Sequence, residues 1–321
     1  MGHLEHDPFT RDAHTRVRAY IAAHREITLD GVAQPGQGAT NRVIFGRRGD
    51  DLVVFKVFCE AERKARSLFA LRHWACTGLV PRLLDDIDQI TILKTHVPGT
   101  YLLTALEVEG EQAWPTTCRA TGAAVAALGA VQLNDADRAG FETRFYGDLG
   151  SLEAYADRIL TLGRSIVTCD LDFTDAFWST NLDFLEGQLP ALLAQPRCLY
   201  HQDVSNLSVQ DGTFRGFFDL EMCRVGCAAM QLGAAVRTFL PQPGGWKPFL
   251  EGYESVTGRR LTGTERRCVA AAASLLDWRE ITRYMSYDGS PGSGYAWASP
   301  ADSTVYREKV EAVRELLSTD Q

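Results

Sequence analysis

Apolar and aromatic positions between residues 10 and 25 recur at Val17, Tyr20 and Ile21, a spacing that predicts an amphipathic helix with Thr10 as its cap. The spacing then shortens. Arg42–Phe45 and Leu52–Phe58 read as strands, joined by a turn at Arg47-Arg48-Gly49-Asp50. Glu60–Thr77 returns to a helical pattern and stops at Gly78, and a short strand, Ile90–Leu93, runs into Val97-Pro98-Gly99. Beyond Gly99 long helical segments dominate, over roughly 116–133, 151–165, 175–194, 226–240 and 264–286. Two short apolar runs around Asp211-Gly212 interrupt them. Sheet first and helix later, about a Pro-Gly junction, predict an α+β chain of two lobes divided into residues 1–97 and 98–321.

The interruption carries the chemistry. Asp-Gly between apolar runs is a strong hairpin signal. A turn centred there pairs Leu207–Gln210 with Thr213–Gly216 and brings Asn206 and Asp219 together at the open end, with Asp203 three residues before Asn206. Two carboxylates and an amide so arranged suit phosphoryl transfer. That reaction needs hard oxygen ligands for Mg²⁺ and a carboxylate to orient the acceptor hydroxyl. Upstream, Gly36-Gln37-Gly38-Ala39-Thr40-Asn41 precedes a strand, where glycines let backbone amides approach phosphates. Lys56 lies inside the apolar strand Val53–Phe58, and a lysine there is costly to bury unless it meets an anion.

His201-x-Asp203, Asn206 and Asp219 together resemble the catalytic loop and metal segment of the aminoglycoside and choline-type kinases. In those proteins the loop commonly reads H-G-D-L-H-P-G-N, followed by I-D-x-E or F-D-x-E; here Phe218-Asp219-Leu220-Glu221 matches the second motif. Ala70-Leu71-Arg72 followed by Val80-Pro81-Arg82 resembles a further family segment. The resemblance spans about residues 30–240 in the family's order. It implies a bilobal protein-kinase-like fold, with a small β-rich N-terminal lobe and a larger helical C-terminal lobe. It also implies roles. Asp203 would be the catalytic carboxylate, Asn206 and Asp219 the metal ligands, and His201 a brace for the loop. Gly36, Gly38, Asn41 and Lys56 would meet the nucleotide phosphates. Glu62, or Glu60, would pair with Lys56. Backbone groups around Lys94–His96 would meet the purine of ATP or GTP. Two departures stand out. Asp203 and Asn206 are three apart where the family has five, so Ser208 competes with Asn206 for the amide's place. After Gly226 the family's Asp-Pro-x-x-Asp is replaced by Cys227–Gln231, leaving Gln231 to hydrogen-bond the loop without a charge.

For the acceptor, Glu280, Arg283, Tyr284 and Tyr287 share adjoining faces of one helix, and Glu221 follows Asp219 closely. Aromatics with both charges suit a glycosylated or nucleoside-like ligand. The expected activity is therefore transfer of a γ-phosphoryl group from a magnesium nucleotide to a hydroxyl of an antibiotic, as in resistance kinases. A metabolite kinase for a sugar or amino alcohol, and a catalytically weak nucleotide-binding module, are the rivals. A protein kinase fits worse, because no A-P-E-like segment follows Asp219.

Bulk properties narrow the partners. The net charge of −8 argues against nucleic acid. The eight cysteines form no C-x-x-C pair, as in a cytosolic protein with reduced thiols. No apolar run reaches the ~20 residues of a membrane span, and no signal-peptide core is seen, so the cytoplasm is the expected compartment.

Overall fold

A computed structural model describes residues 8–30, 41–102, 104–105, 113–146, 149–169, 173–240, 244–285, 307–311 and 313. The chain forms two compact units, Met1–Gly99 with Arg215–Met222, and Thr100–Phe214 with Cys223–Gln321. A single cut after residue 97 misses one feature of this division, the return of Arg215–Met222 to the first unit.

The first unit opens with helix α1 (Pro8–Ala23) and builds an antiparallel sheet. Its strands are β1 (Ile27–Leu29), β2 (Arg42–Arg48), β3 (Asp51–Val57), β4 (Leu83–Asp86) and β5 (Thr91–Thr95), in the order β1-β2-β3-β5-β4. Ala13 and Val17 of α1 pack on Ile27, Ile44, Val53, Phe55, Val57 and Leu93. Strand side chains alternate faces. The opposite face therefore carries Val43, Phe45, Val54, Lys56, Ile92 and Lys94. The register sets them in two rows, Val43–Lys56–Ile92 and Phe45–Val54–Lys94. Helix α2 (Ala61–His73) follows β3. It is shorter than its apolar pattern, because residues 75–77 tighten into a 3₁₀ turn that ends at Gly78 with φ 69°. Thr10 is not a cap. The helix starts at Pro8, a residue suited to a first turn, and the Thr10 hydroxyl accepts a 2.6 Å bond from Arg42 Nε.

The second unit holds helices α3 (Trp114–Gly129), α4 (Asp135–Tyr146), α5 (Leu152–Cys169), α6 (Ala176–Leu193), α7 (Ala228–Phe239), α8 (Trp246–Thr257) and α9 (Gly263–Met285). Strand β6 (Thr100–Tyr101) pairs with β8 (Leu207–Gln210), which β9 (Thr213–Phe217) follows in the sheet order β6-β8-β9. Strand β7 (Arg197–His201) pairs antiparallel with β10 (Cys223–Cys227). Two helices escape the apolar pattern. Helix α4 buries only Phe141 and Tyr146. Helix α8 carries Pro248 in its first turn and Gly252 in its middle, both of which read as breakers. The helix expected from 226 begins at Ala228, because Cys223–Cys227 is fully buried and completes the strand pair with β7. Among the described residues no helix is long and apolar enough to cross a membrane.

Helices α3 and α8 touch backbone to backbone. A Cβ on Gly122 would collide with the Phe249 carbonyl, and one on Gly252 with the Arg119 carbonyl. In an ordinary helix, Gly→Ala adds up to about 1 kcal/mol of stability. Here the sign should reverse. Gly122→Ala should cost about 1–3 kcal/mol, as overpacking does, and urea denaturation reads the change directly.

Candidate active site

Lys56 is 3% exposed at the centre of the first unit's sheet. Its ammonium meets the carboxylates of Asp219 and Glu221. Burial alone would depress its pKa, but the two carboxylates outweigh burial and hold it above the ordinary lysine value. Burial likewise favours protonation of Asp219, yet Lys56 overrides it and keeps that carboxyl well below the usual range. Glu221 moves the other way: burial raises its pKa and the Asp219 charge adds to the rise against the pull of Lys56. Glu221 is also held by the side-chain amide of Asn41 and by Arg63 Nη1 at 3.4 Å, while its carbonyl accepts from Arg66 Nε at 3.0 Å.

Backbone geometry aims Asp219. Its φ is 59°, in the left-handed region that few non-glycine residues enter and that Asp tolerates better than most. Just before it, the Phe217 amide donates to the Leu79 carbonyl at 2.8 Å, and just after it Leu220–Met222 coils into a 3₁₀ turn. The Asp219 side chain keeps 39% of its surface exposed against 4% for Glu221. The two acids therefore divide the work: Glu221 anchors the lysine from within, and Asp219 presents a hard, ionised oxygen outward. Such a donor suits Mg²⁺, which typically takes one or two carboxylates and completes its shell with waters and substrate phosphates. Among the described residues no group of three or more His, Cys, Asp or Glu forms a dedicated metal cage.

Several expected roles change. The acid that meets Lys56 comes from the Asp219–Glu221 segment and not from helix α2. Glu62 is not its partner, and Glu60 lies exposed, 3.7 Å from Arg63. The motif F-D-x-E carries the signal for Glu221, whereas chain order points to the glutamates after β3. The Asn41 amide is engaged at both ends, donating to Glu221 and accepting from the Cys59 amide at 3.2 Å. Gly36 and Gly38 lie outside the described residues. The Thr95 and His96 amides donate to the carbonyls of Arg82 and Leu52 inside the sheet, so they are not open for a purine. Lys94 is 7% exposed, and its pKa is pushed down to about 8 by burial and then by the Lys56 ammonium.

In the second unit, the shortened loop proves to be a single tight turn. The Asn206 amide donates to the Asp203 carbonyl at 2.9 Å, closing a four-residue turn that needs no longer segment. Asn206 and Asp203 are both partly exposed, whereas Ser208 is 2% exposed inside β8. Gln231 of α7 braces the strand before the turn. Its side chain accepts from the His201 amide at 2.8 Å and donates to the His201 carbonyl at 3.3 Å. An amide can do both at once, which the family's aspartate cannot. The hairpin beyond is fixed by Asp211 and Gly212, whose φ values of 52° and 66° are those of a tight hairpin turn. Thr117 of α3 donates to the Gly212 carbonyl at 2.9 Å.

Helix α9 differs from its expected part. Trp278 is buried and donates to Asn181 at 2.8 Å. Glu280 pairs with Arg237 at 2.7 Å, alongside Asp277 at the same distance, and is thereby drawn into a packed ion-pair group. Only the backbone of Arg283 and Tyr284 is described, within α9, and Tyr287 lies outside the described residues.

The family model described as "Phosphotransferase enzyme family" matches residues 31–268, and the chain belongs to that family. It is a small-molecule kinase that moves a phosphoryl group from a nucleotide to a hydroxyl. No curated protein sequence matches it. Solved structures give the same fold. A thermostable mutant of aminoglycoside phosphotransferase APH(4)-Ia, in ternary complex with AMP-PNP and hygromycin B, aligns with TM-score 0.63 at 15% identity, over 96% of this chain and 100% of that one. A choline/ethanolamine kinase family protein from Mesorhizobium loti aligns with TM-score 0.58 at 13% identity, over 96% of each chain. The streptomycin-ATP-APH(2'')-IIa ternary complex aligns with TM-score 0.59 at 13% identity, over 94% and 96%.

Removing the Lys56 charge tests the buried group. Lys56→Met leaves Glu221 buried without its ammonium and should cost about 3–5 kcal/mol of stability. Adding Glu221→Gln should recover part of that loss, in urea titrations of both variants. The pH direction follows from Asp219. Its folded pKa lies below the unfolded value, so its contribution is complete above the ordinary carboxylate range and is lost as pH falls beneath it. Asp219→Asn should flatten that acid limb.

Proposed function

We propose that the chain phosphorylates a hydroxyl of an antibiotic, aminoglycoside or nucleoside-like, using MgATP or MgGTP, and acts as a resistance kinase. The observation that carries this reading is the Lys56–Asp219–Glu221 group, which sets a cation and a metal-binding oxygen side by side. Lys56 contacts nucleotide phosphates. Asp219 would be a ligand of Mg²⁺, as Asn206 would by the family resemblance, and the ion when bound would neutralise phosphate charge. Asp203 accepts a hydrogen bond from the acceptor hydroxyl, orients it and takes its proton as the phosphoryl group moves in line. Gln231 keeps that carboxylate in place through His201.

One observation favours a less cationic acceptor over a polycationic aminoglycoside. Glu280, the carboxylate expected to greet ammonium groups, is engaged by Arg237, and Arg279 follows Asp277 and Trp278 into the buried face of α9. With Glu280 so engaged, a sugar, an amino alcohol or a nucleoside-like antibiotic fits better than a polycation. A phosphorylation screen over antibiotics and metabolites, with ATP and GTP in parallel, tests both halves of the proposal.

Asp203→Ala should lower turnover by about 10²–10⁴-fold, the usual range for a positioned proton acceptor, with the thermal midpoint unchanged. Near-wild-type phosphorylation by that variant would overturn the role. Asp219→Ala should abolish the Mg²⁺-dependent part of nucleotide binding in calorimetry.

A further inference from the structure

The sheet face opposite α1 carries a second lysine that the phosphate chemistry of Lys56 does not use. Lys94 of β5 sits in register with Val54, and Lys56 with Ile92. The two ammonium stems thus rise from the same face as diagonal neighbours, whose Cα atoms lie about 7–8 Å apart in such a pair. The two differ in one respect. Lys56 is neutralised by two acids in direct contact, whereas among the described residues no carboxylate lies within ion-pair distance of Lys94, on which Asp219 and Glu221 act only from further off, although its side chain is more than nine-tenths buried. A buried ammonium offers three donors and no acceptor, and keeping it without an anion is costly. Its row is otherwise apolar, with Val54 beside it and a half-buried Phe45 beyond. Proteins hold such destabilised groups where a ligand completes them.

We propose that the Lys94 ammonium is a second cationic ligand of the donor nucleotide, donating to a nucleotide oxygen that bears no hydrogen. The inference rests on the kinase reading of the Lys56 face. The oxygen is either a base carbonyl, as guanine has and adenine lacks, or a phosphate oxygen. In both cases the lysine's burial is a cost carried by the free protein and relieved by the ligand. A merely structural lysine would behave in the opposite way.

The experiment uses the full chain, Lys94→Met and Lys94→Leu, with thermal midpoints and calorimetric titrations of MgGTP, MgATP and Mg-tripolyphosphate. In the free protein the midpoint of each variant should rise. At the same time binding should weaken about tenfold or more, as loss of a hydrogen bond to a charged group does. Loss confined to GTP assigns the base carbonyl; equal loss of all three assigns the phosphate. Two results overturn the inference: variant affinities equal to the wild type's, or variant midpoints below it. A wild-type chain that binds none of the three ligands would instead overturn the kinase reading of the face.

Discussion

A single buried ammonium organises the first unit. Lys56 sits in a strand whose other residues from Leu52 to Val57 are apolar on both faces, where a bare charge is untenable. Its charge is tolerated because Asp219 and Glu221 arrive from a segment more than 160 residues later. The demand runs in both directions. Glu221 is as buried as the lysine and needs it, together with Asn41 and Arg63. The left-handed backbone at Asp219 lets two acids two residues apart serve one cation while only the first keeps an open edge. Sheet, helix α2 and the Asp219–Glu221 segment are thus tied by one electrostatic requirement.

The second unit solves a different problem, that of holding a carboxylate steady on a short loop. A loop two residues shorter than the family's usual form has fewer ways to move, and Asp203–Asn206 closes it with one backbone bond. Its base is pinned by an uncharged side chain. The Gln231 amide grips both backbone groups of His201 in a fully buried setting, where an aspartate would need a cation beside it. The shorter turn and the lost charge therefore read as matched changes.

Much of this was legible in the residues. Asp211-Gly212 announces its hairpin because positive φ at both positions selects that pair, and Lys56 stands out because its neighbours from Leu52 to Phe58 are apolar. Spacing alone sets Asp203, Asn206 and Asp219 about the hairpin as candidates. What stayed hidden depends on distance in the chain. Chain order points to the next helix for the partner of Lys56, while Glu221 returns to the first unit only after residues 100–214. Helix α9 shows the same limit. Its charged positions look like a ligand face, but Arg237 of another helix claims Glu280 and Asp277. Short strands such as β1 and β4 carry too few alternating residues to announce themselves.

The path of the chain has a consequence for modularity. Because Arg215–Met222 belongs with residues from before Gly99, neither unit is a contiguous stretch of gene. A fragment ending at Gly99 would carry Lys56 and lack both of its counter-charges. A recombination event joining this N-terminal part to a different C-terminal part would import a foreign counterpart of Arg215–Met222. Exchange between relatives can succeed only where the incoming segment still presents an acid of the right reach to this strand lysine. The chain is therefore expected to diversify by point substitution more readily than by shuffling whole domains.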